Sequence, residues 1–330
     1  MERGETNKTA PSYHPISLYS LRVNTVVNFD MYMKLSERNR KWRFVLYRRK
    51  NIPFTERTRK NLTEHGTDEL YIDLFDKREY QLYLENNLDA IIADEAVPIE
   101  EKSRIAYTCA TGLVEELLEN PRSGKHVQRS KAVVSNLVNY MLSESQAFFS
   151  LVVTTSFDYY TYTHSVNVAV FGIALAHRLG LYSLRELNTI GSGLIVHDLG
   201  KSLIDKRILN KRGPLNKEEW ALIKEHPENG AKLLSASGHL SEEARVIVAN
   251  HHEKLDGSGY PHRLRGNAIH PYARIATLAD IFDALTTRRP YKLAEHSFPA
   301  LQIMRDEMGQ ALDQKLFREF VLLLGAETHG

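Results

Sequence analysis

Alternation of apolar and polar positions opens the chain's pattern. In NFDMYMK (28–34), Phe29, Met31 and Met33 fall on one side, the period of a half-buried strand. WRFVLYR (42–48) and ELYID (69–73) predict two more strands. Between them FTERTRKNLTEHG (54–66) predicts a short helix, with Thr55 as N-cap and Gly66 as its stop. These elements make a small α+β unit over about residues 13–75, behind a polar segment at 1–12.

From about residue 76 the spacing changes to three and four, the period of amphipathic helices. REYQLYLENNLDAIIAD (78–94) and IEEKSRIAYTCATGLVEELLEN (99–120) are the first two. PRSGKH (121–126) interrupts the pattern, and 127–155 continues as one or two helices. The linker DEAVPI (94–99) sets the expected division: an N-terminal module over 1–95 and an all-α domain over 96–330. The expected class is therefore mainly α, a helical bundle behind a small α+β domain. Internal repeats and low-complexity tracts are absent from the sequence.

Composition changes this picture little. Apolar residues at 42% and charged residues at 25% are those of a soluble globular protein. Net charge of +2 argues against a chain built as a whole for nucleic acid or membrane. The charge is uneven: Lys34 to Lys60 holds eleven Lys or Arg and two acids, which the plainer reading makes a solvated face. The single cysteine, Cys109, excludes an internal disulfide and fits a reducing compartment. With a polar start and no apolar run near the ~20 residues of a membrane span, a cytoplasmic protein is expected.

Histidines bring the chemistry. His164 lies near the start of an apolar helical segment, and His197-Asp198 follows another. His226 stands where Pro227 interrupts a helix, and His251 and His252 end a further one. Asp280 and Asp283 lie one turn apart on a last helix. Imidazole and carboxylate suit divalent iron, manganese, zinc or nickel, and the lack of thiols argues against zinc ribbons and iron–sulfur sites. Five converging segments can deliver His164, His197, Asp198, His226, His251, His252 and Asp280 to one point. Seven donors exceed what one ion takes and suit two ions bridged by a carboxylate. Taken singly, each residue has a plainer reading, since a lone histidine is more often surface or core than ligand. The spaced set carries the expectation.

The His164 segment, HDLGK, KEHPENG, HHEKLDGSGYP and LADIFDALTTRRPYK together resemble the HD-GYP subgroup of the HD metal-dependent phosphohydrolases, over about residues 150–325. The resemblance implies hydrolysis of cyclic di-GMP to linear pGpG, and onward to GMP in many members. It implies the seven metal ligands named above, with Asp198 as the bridge, and two ions, iron or manganese first and nickel or zinc next. Lys201 would meet a substrate phosphate and pair with Asp158. Arg289 and Lys292 would contact the second phosphate or a guanine, with Asp283 supporting that wall. Some members hold a third metal through a glutamate where this chain has Tyr160, a phenol whose ordinary pKa of about 10 makes it a poor ligand. The loop Gly257–Pro261 would be a lip beside the site, with Glu253 and Asp256 orienting the adjacent histidines.

A rival reading from another class is a catalytically weak scaffold that binds cyclic di-GMP or docks a diguanylate cyclase (GGDEF-type) domain on that loop. A mononucleotide-specific HD enzyme and a phosphodiesterase for another cyclic dinucleotide, such as cyclic GMP–AMP, also stay open. A second copy of the chain pairing through 100–150 is the remaining partner expectation.

Overall fold

In a computed structural model, residues 13–36, 42–155, 160–211, 213–287 and 296–325 are described. The chain divides into two compact units, Met1–Ile105 and Ala106–Gly330. The division falls inside a helix.

The first unit carries a four-stranded antiparallel sheet of β1 (Tyr13–Ser17), β2 (Met31–Ser36), β3 (Trp42–Arg48) and β4 (Glu69–Asp73), in the order β1-β4-β2-β3. Three of these strands are the expected ones. β1, YHPIS, was not anticipated: it is five residues long and contains Pro15, which a sheet tolerates at an edge. β1 pairs with β4 alone among the described strands, so it is such an edge. Helix α1 (Glu56–Glu64) begins where Thr55 Oγ1 accepts the Thr58 N–H at 3.2 Å. It ends before Gly66, whose φ of 68° is the left-handed value that favours glycine. Phe29, Met31, Leu70 and Ile72 are fully buried, and Phe29 meets Tyr80 of α2 (Lys77–Ala93) edge-on. Along β2 Met31 is buried as the pattern predicts, but Met33 is half-buried like Tyr32, because the ladder shifts register between Met31 and Tyr32.

Helix α3 (Ile99–Glu119) leads into the second unit, which is helical throughout its described residues. It contains α4 (Gly124–Ser143), α5 (Ala147–Thr154), α6 (Thr161–Arg178), α7 (Leu184–Ile195), the short α8 (Lys206–Leu209), α9 (Lys217–Lys224) and α10 (His226–Ser237). After these come α11 (Glu242–Asn250), α12 (Pro271–Thr286), α13 (Ser297–Met308) and α14 (Gln314–Gly325). Helices α6 and α12 are apolar nearly all round and pack together at the centre, as wholly buried helices do. Helix α7 packs against α4, α6 and α11. Among the described residues no helix is long and apolar enough to cross a membrane.

Two glycines let the backbones approach. A Cβ on Gly193 of α7 would come within 2.7 Å of the Ala244 carbonyl oxygen of α11. A Cβ on Gly200, in the 3-10 turn Leu199–Leu203, would overlap the His226 carbonyl and lie 2.6 Å from Gly230 N. The turn after α7 therefore closes on the start of α10, where His226 sits.

Candidate metal centre

The histidines and Asp198 stand at a helix end or one turn inside it, and Asp280 in a helix interior. His164 is one turn into α6, and its N–H donates to the Tyr160 carbonyl at 3.0 Å. His197 and Asp198 follow the last turn of α7. His226 opens α10 with Pro227 in the first turn, where a missing N–H costs no helical hydrogen bond. His251 caps α11 and His252 follows. Asp280 lies within α12.

Three of the rings share one device. Nδ1 of His197, His226 and His251 lies 2.7, 2.6 and 2.9 Å from the carbonyl oxygens of Leu194, Ile223 and Val248, each three residues back. A carbonyl only accepts, so Nδ1 carries the hydrogen and Nε2 presents a lone pair. These lone pairs converge. His226 Nε2 is 3.1 Å from His251 Nε2, and His197 Nε2 is 3.3 Å from His164 Nε2. Burial lowers the pKa of all three rings, to about 4 for His226. Facing neutral nitrogens have no hydrogen to share, and a cation bound by them removes the conflict.

The carboxylates link these rings. Asp198 Oδ2 is 3.5 Å from His164 Nε2 and 3.6 Å from His197 Nε2. Its Oδ1 is 3.2 Å from His226 Nε2 and 3.8 Å from His251 Nε2, and as a buried atom it accepts no hydrogen bond. Asp280 also spans two sets, with Oδ1 3.1 Å from His164 Nε2 and Oδ2 3.2 Å from His252 Nδ1. Burial raises the pKa of both acids, but their partners outweigh it: Lys201 and the facing His197 for Asp198, His252 and His164 for Asp280. The net shift is well below the carboxylate range in each case. Two groups of donors result, His164/His197/Asp280 and Asp198/His226/His251/His252, with donor atoms within 4.8 Å inside each. This is the donor set of a divalent-metal site, with Nδ1 of His197, His226 and His251 hydrogen-bonded outward and their Nε2 atoms turned inward. Lys201 Nζ lies 2.6 Å from Asp198 Oδ2 at its rim.

The structure corrects two expectations, for Glu253 and Asp256. Asp283 is buried, and its Oδ2 lies 2.6 Å from His164 Nδ1. Its Oδ1 accepts from Asn167 Nδ2 at 2.8 Å and from the Thr287 hydroxyl at 3.1 Å. Glu253 does not orient the histidines. Its oxygens accept the backbone N–H of His262 at 2.7 Å and of Leu264 at 2.9 Å, which pins the loop after Tyr260. Asp256 likewise serves Ser258, accepting its N–H and hydroxyl. Asp158, Arg289 and Lys292 lie outside the described residues. Asn167, and Tyr107 whose hydroxyl donates to Asn167 Oδ1 at 2.8 Å, escaped the sequence reading. A polar residue three places after His164 in the otherwise apolar run VNVAVFGIALA was the available signal.

The centre opens into a cleft of about 2060 Å³. Lys201, His226, His252 and Asp280 line its floor, and Trp220 and Tyr260 its side.

A helical bundle around such a histidine–aspartate centre defines the HD class of proteins. The HD domain family model matches residues 171–316. The chain is 35% identical over 69% of its length to a cyclic di-GMP phosphodiesterase of Pseudomonas aeruginosa, covering 56% of that protein. It is 32% identical over 75% of its length to 3'3'-cGAMP-specific phosphodiesterase 3 of Vibrio cholerae serotype O1, covering 54% of it. The chain thus spans about half the length of these curated relatives. The solved structure of an HDGYP protein from Bdellovibrio bacteriovorus shares its fold, with a TM-score of 0.65 at 23% identity over 95% of this chain and 100% of that one. With His197-Asp198 as its HD pair and Gly259-Tyr260-Pro261 as its loop, the chain belongs to the HD-GYP family.

Proposed function

We propose that this chain is a metal-dependent phosphodiesterase that opens cyclic di-GMP to linear pGpG. The observation that carries the reading is the convergence of the Nε2 atoms of His197, His226 and His251 with Asp198 Oδ1, beside a cleft that His226, His252, Asp280 and Lys201 line. Relatives acting on cyclic di-GMP and on 3'3'-cGAMP support the substrate class.

In this reading His164, His197 and Asp280 would hold one divalent cation and His226, His251 and His252 a second, iron or manganese, with Asp198 as a ligand to them. When bound, such a pair supplies Lewis acidity toward a phosphate oxygen and a nucleophile at neutral pH. The protein's own residues do the rest. Backbone carbonyls and Asp283 fix the histidine tautomers, so no ring turns away from the cations. Asp198 holds the Lys201 ammonium at the rim, where it meets the negative charge gathering on the phosphoryl group. Water adds at phosphorus, the bond to O3′ breaks, and O3′ leaves with a proton, giving a 5′-phosphate and a free 3′-hydroxyl.

Tyr160 brings no carboxylate to the mouth of the site, which supports two ions rather than three and pGpG as the main product. The loop Gly257–Pro261 is tied inward, with the Tyr260 N–H donating to the His252 carbonyl at 3.2 Å. That favours a substrate lip over a docking arm for a GGDEF-type partner.

Purified protein loaded with iron or manganese should convert cyclic di-GMP to pGpG, read by product chromatography beside metal analysis. Full metal occupancy with no turnover of any cyclic dinucleotide would overturn the assignment.

A further inference from the structure

Among the described residues of the second unit, three aromatic side chains are exposed: Tyr160, Trp220 and Phe298. Two of the three, Tyr160 at 55% and Trp220 at 44%, line the cleft above the metal centre. An exposed ring costs favourable burial, so its concentration in one wet cleft asks for a ligand.

Each of these rings is backed by another. Tyr160 lies parallel to Tyr162, with centroids 5.2 Å apart and planes 7° apart. Trp220 meets Tyr260 edge-on at 6.4 Å, and Tyr260 in turn lies 4.6 Å from the His252 ring. The two pairs belong to different donor groups. Tyr160 is the N-cap of the helix that carries His164 and stands four residues before it. Its backbone is fixed, with the N–H donating to Thr163 Oγ1 at 3.0 Å. Tyr260 is tied to His252 of the other group. Cations accompany the rings: Lys224 Nζ is 5.7 Å from the Trp220 ring and 6.0 Å from Tyr260, and Lys201, Lys211 and Lys254 line the same cleft.

Backed aromatic faces beside ammonium groups are how proteins take nucleobases without reading their edges. We propose that the Tyr160–Tyr162 and Trp220–Tyr260 pairs are two base-binding walls, one for each purine of a cyclic dinucleotide. The assignment rests on the cyclic-dinucleotide reading above. It makes Tyr160 and Trp220 binding residues that set KM and take no part in bond breaking.

The test compares Tyr160→Leu and Trp220→Leu with Tyr160→Phe in the metal-loaded full chain, using cyclic di-GMP. Both exposed sites accept leucine without disturbing the core. Each leucine variant should raise KM roughly 5- to 100-fold, the loss of one stacked base, with kcat near wild type. Tyr160→Phe should keep the wild-type KM. A second readout needs no turnover. The chain has two tryptophans, so Trp42→Phe leaves Trp220 as the sole emitter. Titration with a non-hydrolysable phosphorothioate analogue of cyclic di-GMP should quench it, with a midpoint shifted upward by adding Tyr160→Leu.

An active wild type whose KM is unchanged by either leucine variant, or by one of them, overturns the two-wall assignment. So does an unquenched Trp220. A wild type inactive on every cyclic dinucleotide overturns the functional reading instead, and the fluorescence titration then decides the walls alone.

Discussion

Asp283 Oδ2 accepts the Nδ1 hydrogen of His164 at 2.6 Å and so turns that ring's Nε2 toward the centre. His164 is the one ring of its donor group that uses a carboxylate for this, where His197 uses a backbone carbonyl. The carboxylate is itself held by Asn167, and Asn167 by the Tyr107 hydroxyl. The chain of contacts therefore runs from α3 to the metal centre through four side chains. Asp283→Asn keeps the volume but offers an amide where Nδ1–H needs an acceptor. Metal affinity should fall roughly 10- to 100-fold, the usual effect of losing such an outer partner. Chelator competition measures it. Unchanged affinity would show that His164 is oriented by packing alone.

Gly200 sets how near Asp198 can come to His226. Its added Cβ would overlap the His226 carbonyl, which is backbone and cannot rotate aside. Gly200→Ala should destabilise the second unit by about 1–3 kcal/mol, as overpacking does, and lower metal content at the same time. Gly325→Ala, with open space around its Cβ, is the control and should be neutral. Thermal melts with metal analysis on the same samples test both effects.

How much of this was legible beforehand depends on how local each signal is. The period-2 run through Phe29 and Met31 and the caps at Thr55 and Gly66 are short-range features, and the strands and helix followed them. The donors that converge here could be named because the spaced set of His and Asp segments matches the HD-GYP motifs, although each residue alone has a plainer reading. β1 was missed because YHPIS is short, and its only described strand partner, β4, lies more than fifty residues away. The contact of Asp283 with His164 was illegible for a related reason: it depends on where α6 packs against α12. Glu253 looked like a histidine partner by proximity in sequence. Only the path of the loop, which folds back to present two N–H groups, reveals its use.

Removing the metal should loosen the fold as well as stop the reaction. Converging lone pairs and two depressed carboxylates are tolerable with cations and unfavourable without them. Metal at about 100 times its Kd adds about 2.7 kcal/mol. For a unit of this size that corresponds to a Tm shift of about 5–10 °C. Calorimetry of the holoprotein before and after exhaustive chelation gives the comparison, and re-addition of manganese should restore the lost degrees. An unchanged Tm would mean that the centre contributes nothing to the folded state.

Lys201 separates charge stabilisation from metal binding. Its ammonium pairs with Asp198 Oδ2 at the rim, and none of the donors needs it to hold a cation. Lys201→Met keeps much of the side chain and removes the charge. kcat should fall roughly 100- to 1000-fold, the range for removing one preorganised donor to a developing oxyanion, with metal content unchanged. A variant that loses metal in proportion to activity would instead make Lys201 a prop for Asp198.

Glu253 should control the lip without touching the chemistry. Its buried carboxylate accepts two backbone N–H groups of the loop. Glu253→Ala strands both, at about 1–3 kcal/mol each, and should release the segment that carries Tyr260 over His252. Glu253→Gln keeps one accepting oxygen and should lose about half as much. If the lip positions substrate, KM for cyclic di-GMP rises in the order wild type, Gln, Ala, while metal content stays constant and hydrolysis of a small nitrophenyl phosphodiester is unaffected. Equal losses on both substrates would place Glu253 in the support of the metal centre itself.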